Sequence, residues 1–267
     1  MQERNTEHLK VIVLAAGSGN RLRPLTDNAP KCMVDINGVK IIDHILSTIN
    51  DANIKQIKII GGYKFDVLRK YLNTYNVELV ENQKYATTNM VASLFGALCN
   101  EDLTYDLIIS YSDIIYNAQV LNLLVSSSYD ISVVIDKDWE RLWKLRMNNP
   151  LDDAETLKIS PDNNIIEIGK KAKTFDDIEG QYIGLIKISS KILPCVYEYY
   201  NKMDKNKLYD GKTFDNMFMT SFLQELINAG FEIKPVYINR GWLEVDSTED
   251  LDKYKKDGKY NLVEFKP

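Results

Sequence analysis

Short apolar runs alternate with helical patterns through the first half of the chain. Runs rich in Val, Ile and Leu predict buried β-strands at 10–16, 57–63, 77–82, 106–113 and 130–136. Between them, apolar residues recur at the three- and four-residue spacing of helices, over 39–50, 65–73, 90–99 and 118–126. This alternation predicts an α/β fold, with a doubly wound, mostly parallel, Rossmann-like sheet and right-handed crossovers.

The pattern changes after Asp136. A charged, Trp-rich excursion at 137–156 precedes a β-hairpin signature at 157–169, in which Pro, Asp and Asn join two apolar runs. Further strands are predicted at 181–189, 231–238 and 242–245, and further helices at about 191–201 and 214–228. A last helix is predicted to begin at Ser247 as N-cap, with Asp250 completing a capping box. The second half therefore reads as a small α+β elaboration of the sheet.

Size and charge bound the kind of protein that this chain encodes. Its 267 residues contain no repeat or Pro/Gly linker, which predicts a single domain over 1–267 with segments at about 9–136, 137–240 and 241–267. The formal net charge of -5 argues against nucleic acid or an anionic membrane surface as a partner. The longest apolar run, 11–16, is too short to span a bilayer, and residues 1–9 are too polar for a secretory signal. We therefore expect a cytoplasmic protein.

The chain has only two histidines, and neither is well placed for catalysis. His8 lies in the polar leader, and His44 lies within the apolar-periodic helix predicted over 39–50. The three cysteines are scattered, which indicates neither a disulfide framework nor a zinc site. We therefore predict a chemistry that needs neither a histidine base nor a cysteine nucleophile.

The loop after the first strand, GSGNRLRPLTDNAPK, combines glycines with cationic residues. It is not a dinucleotide fingerprint, because Leu22 stands where the third glycine belongs, and it lacks the Gly-Lys-Ser/Thr of a P-loop. A tight βα turn would explain the glycines alone. Arg21 and Lys31 instead favour phosphate binding, because glycine exposes backbone N–H groups and both side chains suit phosphate oxygens.

The stretch LAAGSGNRLRPLTDNAPK resembles the signature of nucleotidyltransferases that activate sugar phosphates and small phosphorylated alcohols, G-x-G-x-R-x-x-P-x-T…P-K. The resemblance implies a GT-A-like version of the Rossmann-like fold. It also implies catalytic roles for Arg21 on the triphosphate and for Lys31 on the α-phosphate and the leaving pyrophosphate. The nucleotide site that it implies consists of Leu14, Ala15, Ala16, Gly17, Gly19, Asn20, Arg21, Lys31, Asn82, Tyr85, Thr88, Asn89 and Ser112.

Two aspartates at predicted strand ends, Asp113 and Asp246, are the candidate metal ligands. Nucleotidyl transfer needs hard carboxylate oxygens near the α-phosphate, and the resemblance implies Mg²⁺ at these positions. The alternative for each is a helix-capping or turn aspartate. Ser247 is the better cap for the helix after Asp246, and the apolar Ile114 and Ile115 after Asp113 do not begin a helix. Both observations weaken the alternative.

The segment ENQKYATTNMVASL indicates which nucleotide is used. Its polar residues would also suit a loop entering a helix, with Thr88 or Asn89 as N-cap. It resembles the YA-x-x-N-N…SL stretch of phosphocholine cytidylyltransferases, although Met90 stands where that branch often has a second Asn. The resemblance implies CTP as donor.

The excursion at 137–156 is the predicted acceptor-specific segment. Trp139 and Trp143 are spaced like a hydrophobic helix face, although Trp139 would also suit a quaternary ammonium. Arg141 and Arg146 beside several acidic residues suit a zwitterion, but a solvated charged helix also explains Arg141. The stretch LW-x-x-R-x-x-NPL-x-DAET resembles capsule-building cytidylyltransferases that activate phosphorylated glutamine.

The acceptor site implied by the resemblance extends into the following strands. Lys170 is the candidate for the acceptor's phosphate, with an exposed surface lysine as the alternative. Gly and Tyr of the strand GQYIGLIKIS line the acceptor pocket in that family. The implied acceptor-binding residues are Arg146, Glu155, Lys170, Gln181, Tyr182 and Gly184.

The sequence thus predicts an Mg-dependent cytidylyltransferase that joins CMP from CTP to a phosphoglutamine- or phosphocholine-type acceptor, releases pyrophosphate and serves cell-surface polysaccharide decoration. The alternative enzyme is a sugar-1-phosphate nucleotidyltransferase that makes an NDP-sugar. A non-catalytic nucleotide-binding subunit is disfavoured, because Lys31, Asp113 and Asp246 are all present. The predicted partners are CTP and a small phosphorylated acceptor, with monomer and homo-oligomer both open.

Overall fold

The structure of the chain is a computed structural model, and it describes residues 6–256. The first part of the predicted polar leader, 1–5, and the last part of the predicted C-terminal segment, 257–267, lie outside the described residues. Within 6–256, none of the helices has the length and apolar character needed to cross a bilayer. The cytoplasmic location stays a prediction.

The strands cover both halves of the sequence. They are β1 (Leu9–Ala15), β2 (Asp35–Ile36), β3 (Val39–Lys40), β4 (Gln56–Gly61), β5 (Glu78–Glu81), β6 (Asp106–Tyr111), β7 (Ile114–Tyr116), β8 (Ile131–Asp136), β9 (Glu155–Ile159), β10 (Ile165–Lys171), β11 (Gln181–Ile188), β12 (Lys234–Ile238) and β13 (Trp242–Glu244).

The α-helices separate these strands as the apolar periodicity predicts. They are α1 (Ile41–Asp51), α2 (Phe65–Tyr71), α3 (Met90–Leu98), α4 (Ala118–Val125), α5 (Trp139–Arg146), α6 (Leu193–Lys202), α7 (Met219–Asn228) and α8 (Thr248–Lys256). Short 3-10 helices lie at Asn20–Leu22, Lys31–Met33, Leu72–Thr74, Pro150–Asp152, Phe175–Asp177 and Phe214–Asn216.

One seven-stranded sheet organises the fold, in the order β12-β8-β11-β6-β1-β4-β5. Only β11 runs antiparallel to its neighbours, β6 and β8; the other pairings are parallel. The predicted doubly wound, mostly parallel sheet is confirmed. Strands β11 and β12 from the second half of the sequence lie within this sheet, next to strands of the first half.

Strand β1 shows how the sequence fills both faces of the sheet. Val11, Val13 and Ala15 point into the core that α1, α4, α5 and α8 cover, whereas Ile12 and Leu14 point into the core under α3, α6 and α7. Side chains of a strand alternate between faces, so a strand buried on both sides reads as a continuous apolar run. This is why the run at 11–16 has no polar positions.

The order of the strands creates a crevice at the carboxyl end of β1. From β1 the chain builds outward through β4 and β5, and then returns to the other side of β1 with β6. Ligands of open α/β sheets bind where the strand order reverses in this way. The glycine loop follows β1 and Asp113 follows β6, so both lie at this reversal.

Several boundaries differ from the sequence predictions for local reasons. The helix predicted over 39–50 begins at Ile41, because Val39 and Lys40 pair with Ile36 and Asp35 as strand β3. The helix predicted over 214–228 divides into a 3-10 turn and α7, which begins at Met219. The capping box is confirmed, since Ser247 accepts from the N–H of Asp250, whose carboxylate accepts from the N–H of Ser247.

Candidate active site

The loop after β1 is held in shape by its own residues. The φ angle of Gly19 is 61°, and a Cβ there would lie 2.9 Å from Cβ of Lys31, so the turn requires glycine. The hydroxyl of Thr26 donates to the carbonyl of Gly19 at 2.8 Å, and Tyr63 donates to the carbonyl of Thr26 at 3.0 Å. The loop therefore presents Arg21 and Lys31 from a fixed backbone.

Lys31 joins the two aspartates predicted as metal ligands. Its Nζ lies 2.8 Å from Asp113 Oδ2 and 2.6 Å from Asp246 Oδ1, and Arg21 forms an ion pair with the other oxygen of Asp246. Burial opposes the charged form of Lys31, but attraction by both carboxylates outweighs it and raises the pKa of Lys31. Burial likewise opposes the charge of Asp246, yet Lys31 and Arg21 hold its pKa below the usual value.

A short antiparallel ladder brings these two aspartates together. Strand β13 pairs with β7, with Glu244 opposite Ile114. The pairing continues as the N–H of Val245 donates to the carbonyl of Asp113 at 2.8 Å. Asp246 follows Val245 directly, so backbone pairing fixes the separation of the two carboxylates.

The aspartate pair fits a divalent cation. Asp113 Oδ1 is buried and has no hydrogen-bond partner among residues 6–256, whereas its Oδ2 contacts Lys31. A buried carboxylate oxygen without a partner is a costly group that a hard cation would satisfy. No group of three or more His, Cys, Asp or Glu side chains arranged to hold a metal occurs within 6–256. Two protein carboxylates plus nucleotide phosphates would match the way Mg²⁺ is usually bound.

A cavity of about 130 Å³ lies over the loop at the end of β1. Eight residues predicted for the nucleotide site line it: Leu14, Ala16, Gly17, Lys31, Tyr85, Thr88, Asn89 and Ser112. Ala15, Gly19, Asn20, Arg21 and Asn82 do not line it. Asn82 instead donates to Thr88 at 2.9 Å and to Ser93 at 2.8 Å, and Asn89 is the N-cap of α3. These amides hold the wall of the cavity in place.

A second cavity of about 250 Å³ adjoins the first. Four predicted acceptor residues, Glu155, Gln181, Tyr182 and Gly184, line it, together with Arg21 and Asp246. Both cavities share the side chains of Met90 and Tyr111. The ion-pair cluster around Lys31 thus lies between two adjoining cavities, as a transfer reaction between two substrates requires.

Gln181 and Gly184 shape the second cavity through backbone contacts. The amide of Gln181 accepts from the N–H of Glu155 at 3.1 Å and donates to the carbonyl of Glu155 at 2.6 Å, so it fixes the start of β9. Gly184 has a φ of 90°, and a Cβ there would lie 2.7 Å from the ring of Tyr111. Only glycine lets β11 approach Tyr111 so closely.

Glu155 is an unusual carboxylate at the base of this cavity. Burial, together with repulsion from Asp153, Glu244 and Asp210, raises its pKa to about 7. No hydrogen bond or ion pair of its carboxylate occurs within the described residues. Such a group can accept a cationic or hydrogen-bond-donating part of a ligand.

Arg146 was predicted to bind the acceptor, but the structure does not place it in the cavity. Its side chain is only 3% exposed and forms ion pairs with Glu244 and Asp250. Each of its three nitrogens donates to one of these carboxylates. It therefore supports the cavity from behind and does not face a ligand.

Lys170 also lies away from both cavities. Its ammonium forms an ion pair with Glu167, and its side chain is 56% exposed on β10. This matches the alternative of an exposed surface lysine. Trp139 is buried and stacks on Phe175, so it is a core residue and not an open ammonium-binding face.

Several residues of the second cavity were missed by sequence reasoning. They are Tyr111, Trp143, Trp242 and Glu244. Tyr111 and Trp242 lie in apolar strands, where an aromatic side chain reads as core. The position of Glu244, two residues before Asp246 in an extended segment, was the available signal, because alternate residues of an extended chain share a face.

Comparison with known proteins shows the family of this chain. Residues 11–243 match the MobA-like NTP transferase domain. The CTP:phosphoglutamine cytidylyltransferase of Campylobacter jejuni is 46% identical over 250 residues, 91% of this chain and 98% of that protein. The choline-phosphate cytidylyltransferase of Streptococcus pneumoniae is 37% identical over 124 residues, 45% of this chain and 52% of that protein.

The fold is shared with solved structures of nucleotide-dependent transferases. The inositol-1-phosphate CTP transferase of T. maritima superposes with a TM-score of 0.72, covering 95% of this chain and 98% of that one at 19% identity. The predicted resemblance to nucleotidyltransferases is confirmed by the domain match and by the similarity over nearly the whole chain. This chain belongs to the MobA-like NTP transferase domain family.

Proposed function

We propose that this protein is a cytidylyltransferase that transfers CMP from CTP to a small phosphorylated amine or amino acid and releases pyrophosphate. The observation that carries the proposal is the contact of Lys31 with Asp113 and Asp246 between two adjoining cavities. The 46% identity to a CTP:phosphoglutamine cytidylyltransferase supports CTP and an acceptor of this class. Cell-surface polysaccharide decoration is the use that we propose for the product.

The proposed chemistry needs no general base. An acceptor phosphate monoester has its second pKa at about 6 and is a dianion at neutral pH. One of its oxygens forms a bond to the α-phosphorus of CTP, while the bond from that phosphorus to the bridging oxygen of pyrophosphate breaks. No proton has to move, so catalysis rests on alignment and on neutralising phosphate charge.

The loop after β1 supplies the positive charge for this step. The 130 Å³ cavity is the one that we assign to the nucleotide, and we call it the nucleotide cavity. Gly17 lines it without a side chain, which would let the triphosphate approach the backbone. Arg21 forms an ion pair with Asp246, but its side chain is 68% exposed. Because the side chain is exposed, its guanidinium could turn from Asp246 toward a bound phosphate. The side chain of Lys31 is 12% exposed and lines the nucleotide cavity, where its ammonium would neutralise charge that develops on the phosphates.

Mg²⁺ is part of the proposal. Asp113 and Asp246 would hold the ion, and the buried, unpartnered Oδ1 of Asp113 supports this assignment. Bound there, it would polarise the transferred phosphoryl group and neutralise developing negative charge.

The charge of the second cavity supports an acceptor that carries an ammonium group. Four acidic side chains line it, and Arg21 is the one basic residue among the described residues of its wall. The aromatic residues Trp143, Trp242 and Tyr182 also line it. Carboxylates and aromatic faces together favour an ammonium or quaternary ammonium group. A hexose 1-phosphate, the acceptor of the alternative function, offers no such positive charge.

A pyrophosphate-release assay tests the proposal directly. The four nucleoside triphosphates are crossed with phosphoglutamine, phosphocholine and hexose 1-phosphates, with Mg²⁺ in excess. We expect turnover with CTP and an amine- or amino-acid-bearing acceptor. Turnover confined to a hexose phosphate would contradict the proposal and favour the alternative.

Glu155→Gln separates acceptor recognition from nucleotide binding. Glu155 lines the second cavity, which we assign to the acceptor and call the acceptor cavity. Because the variant removes charge only there, it should raise the acceptor KM about tenfold or more and leave the CTP KM within about twofold. Equal changes in both constants would argue against an ammonium site at Glu155. Glu198→Gln, on the exposed face of α6, is the matched control.

A further inference from the structure

Arg146 connects three parts of the protein through one buried guanidinium. It is the last residue of α5, and its side chain is 3% exposed. Nε and Nη2 donate to the two oxygens of Asp250 at 3.2 and 3.3 Å, and Nη1 donates to Glu244. The planar fork of arginine is suited to such simultaneous contacts.

Through Asp250, Arg146 is connected to the backbone of Asp246. We call this connection the first arm. Asp250 Oδ2 accepts from the N–H of Asp246 at 3.0 Å and from the N–H of Ser247 at 3.1 Å. The carboxylate that caps α8 is therefore also the partner of Arg146. A guanidinium that fixes Asp250 thereby fixes the backbone of Asp246, one hydrogen bond further on.

Through Glu244, Arg146 is connected to the acceptor cavity. We call this connection the second arm. Glu244 lines that cavity and forms an ion pair with Arg146. Arg146 also lies 5.5 Å above the ring of Trp143, which lines the same cavity and donates to Asp153. One cation thus orients a carboxylate and an indole of the acceptor wall.

We propose that Arg146 is a positioning residue that sets the acceptor wall through Glu244 and the backbone of Asp246 through Asp250. It binds no substrate itself. The inference rests on the proposed function for its kinetic consequences, but its structural consequence, a fixed backbone at 246–247, does not. Residues that orient ligand-bearing groups from behind typically contribute 10–100-fold to affinity or activity.

Four single variants and two double variants test the inference. Arg146→Met removes the cation, Arg146→Lys keeps the charge without the fork, Asp250→Asn weakens the first arm, and Glu244→Gln weakens the second. Arg141→Met is the matched control, because Arg141 is an exposed arginine on the same helix. Double-mutant cycles of Arg146→Met with Asp250→Asn and with Glu244→Gln measure whether each arm depends on Arg146.

The kinetic result that we expect is a separation of the two arms. Asp250→Asn should lower kcat with a small change in acceptor KM, and Glu244→Gln should mainly raise acceptor KM. Arg146→Met should do both, with kcat/KM about 10–100-fold lower, and Arg146→Lys should recover part of the loss. Additive effects in both cycles would overturn the inference.

Hydrogen exchange of the segment 242–250 provides a readout that needs no substrate. In Arg146→Met the amides of Asp246 and Ser247 should exchange faster than in the wild type, whereas Arg141→Met should leave them unchanged. Unchanged exchange in Arg146→Met overturns the inference even if the wild type proves to act on other substrates. If Arg146→Met fails to fold, exchange and kinetics of Arg146→Lys and Asp250→Asn decide by the same criteria.

Discussion

Lys31 Nζ lies 2.6 Å from Asp246 Oδ1, a contact between residues 215 positions apart in the sequence. It joins the loop after the first strand to the end of the last one. The same ammonium contacts Asp113, which follows the central strand β6. Three separate strand ends therefore meet at one charged group, beside both cavities, and the proposed reaction depends on this meeting point.

Lys31→Ala should abolish turnover with little change in fold. Removing one preorganised cation from a transfer site is expected to lower kcat by about 10²–10³-fold or more. The assay is pyrophosphate release at saturating substrates, with circular dichroism to check folding. Lys191→Ala, at a lysine that is 79% exposed, is the control. Near-normal rates in the Lys31 variant would contradict the catalytic assignment.

Chelation should remove activity, and added Mg²⁺ should restore it. Asp113→Asn should weaken Mg²⁺ binding, because the neutral amide is a poorer ligand for a hard cation. We expect an increase of about 10–100-fold in the Mg²⁺ concentration that gives half-maximal rate. Asp66→Asn, at an 85% exposed aspartate on α2, should leave that concentration unchanged. Full activity in EDTA would contradict the metal assignment.

Glu155 should make the protein less stable as the pH rises. Its folded-state pKa, about 7, exceeds its ordinary value of 4.5, so the native state binds the proton more tightly than the unfolded state. The associated stability is present below about pH 4.5 and is lost as the pH approaches 7. At ~1.4 kcal/mol per pKa unit, the loss is at most about 3 kcal/mol.

Urea denaturation at pH 5 and pH 8 measures this effect. The Glu155→Gln side chain cannot ionise. The free energy of unfolding of the variant minus that of the wild type should therefore be larger at pH 8 than at pH 5. The negative charges that act on Glu155 belong to Asp153, Asp210 and Glu244. The charge of Glu155 in turn acts on the hydroxyls of Tyr111 and Tyr182. An identical pH dependence in wild type and variant would show that Glu155 is not perturbed.

Gly184→Ala should damage both stability and activity. The added Cβ would lie 2.7 Å from the ring of Tyr111 and would hold a positive φ, which together cost about 2–4 kcal/mol. Tyr111 lines both cavities, so its displacement should also lower kcat/KM.

Gly96→Ala is the matched control for this substitution. Gly96 lies within α3, and a Cβ there would meet no atom within 4 Å. Alanine in a helix interior should stabilise the protein by about 0.5–1 kcal/mol without changing kcat/KM. Equal effects of the two glycine substitutions would contradict the packing that we describe around Tyr111.

The parts of the site that the sequence predicts are those with a local signal. The loop from Gly17 to Lys31 combines glycines and cations within a few residues, so its chemistry is visible without the fold. Asp113 and Asp246 follow apolar runs, and the rule that strand ends meet at one edge of a sheet brings them into the same crevice.

The residues that sequence reasoning misplaced depend on partners far away in the chain. Arg146 pairs with Asp250, 104 positions away, and only that contact shows that the guanidinium faces inward. The charge pattern of α5 is the same for a buried arginine and a ligand-binding one. Lys170 illustrates the reverse case, since it pairs with Glu167, which is three residues away on the same strand.

A crystal structure with CTP and Mn²⁺, recorded at the manganese absorption edge, tests the central claim most directly. In the proposed mechanism the loop from Gly17 to Lys31 binds the triphosphate, while Asp113 and Asp246 together bind one divalent ion. We predict a manganese peak about 2.0–2.3 Å from oxygens of both Asp113 and Asp246, with the triphosphate over Gly17 and Arg21. A peak bound by neither aspartate, or a triphosphate outside the loop, would contradict the account.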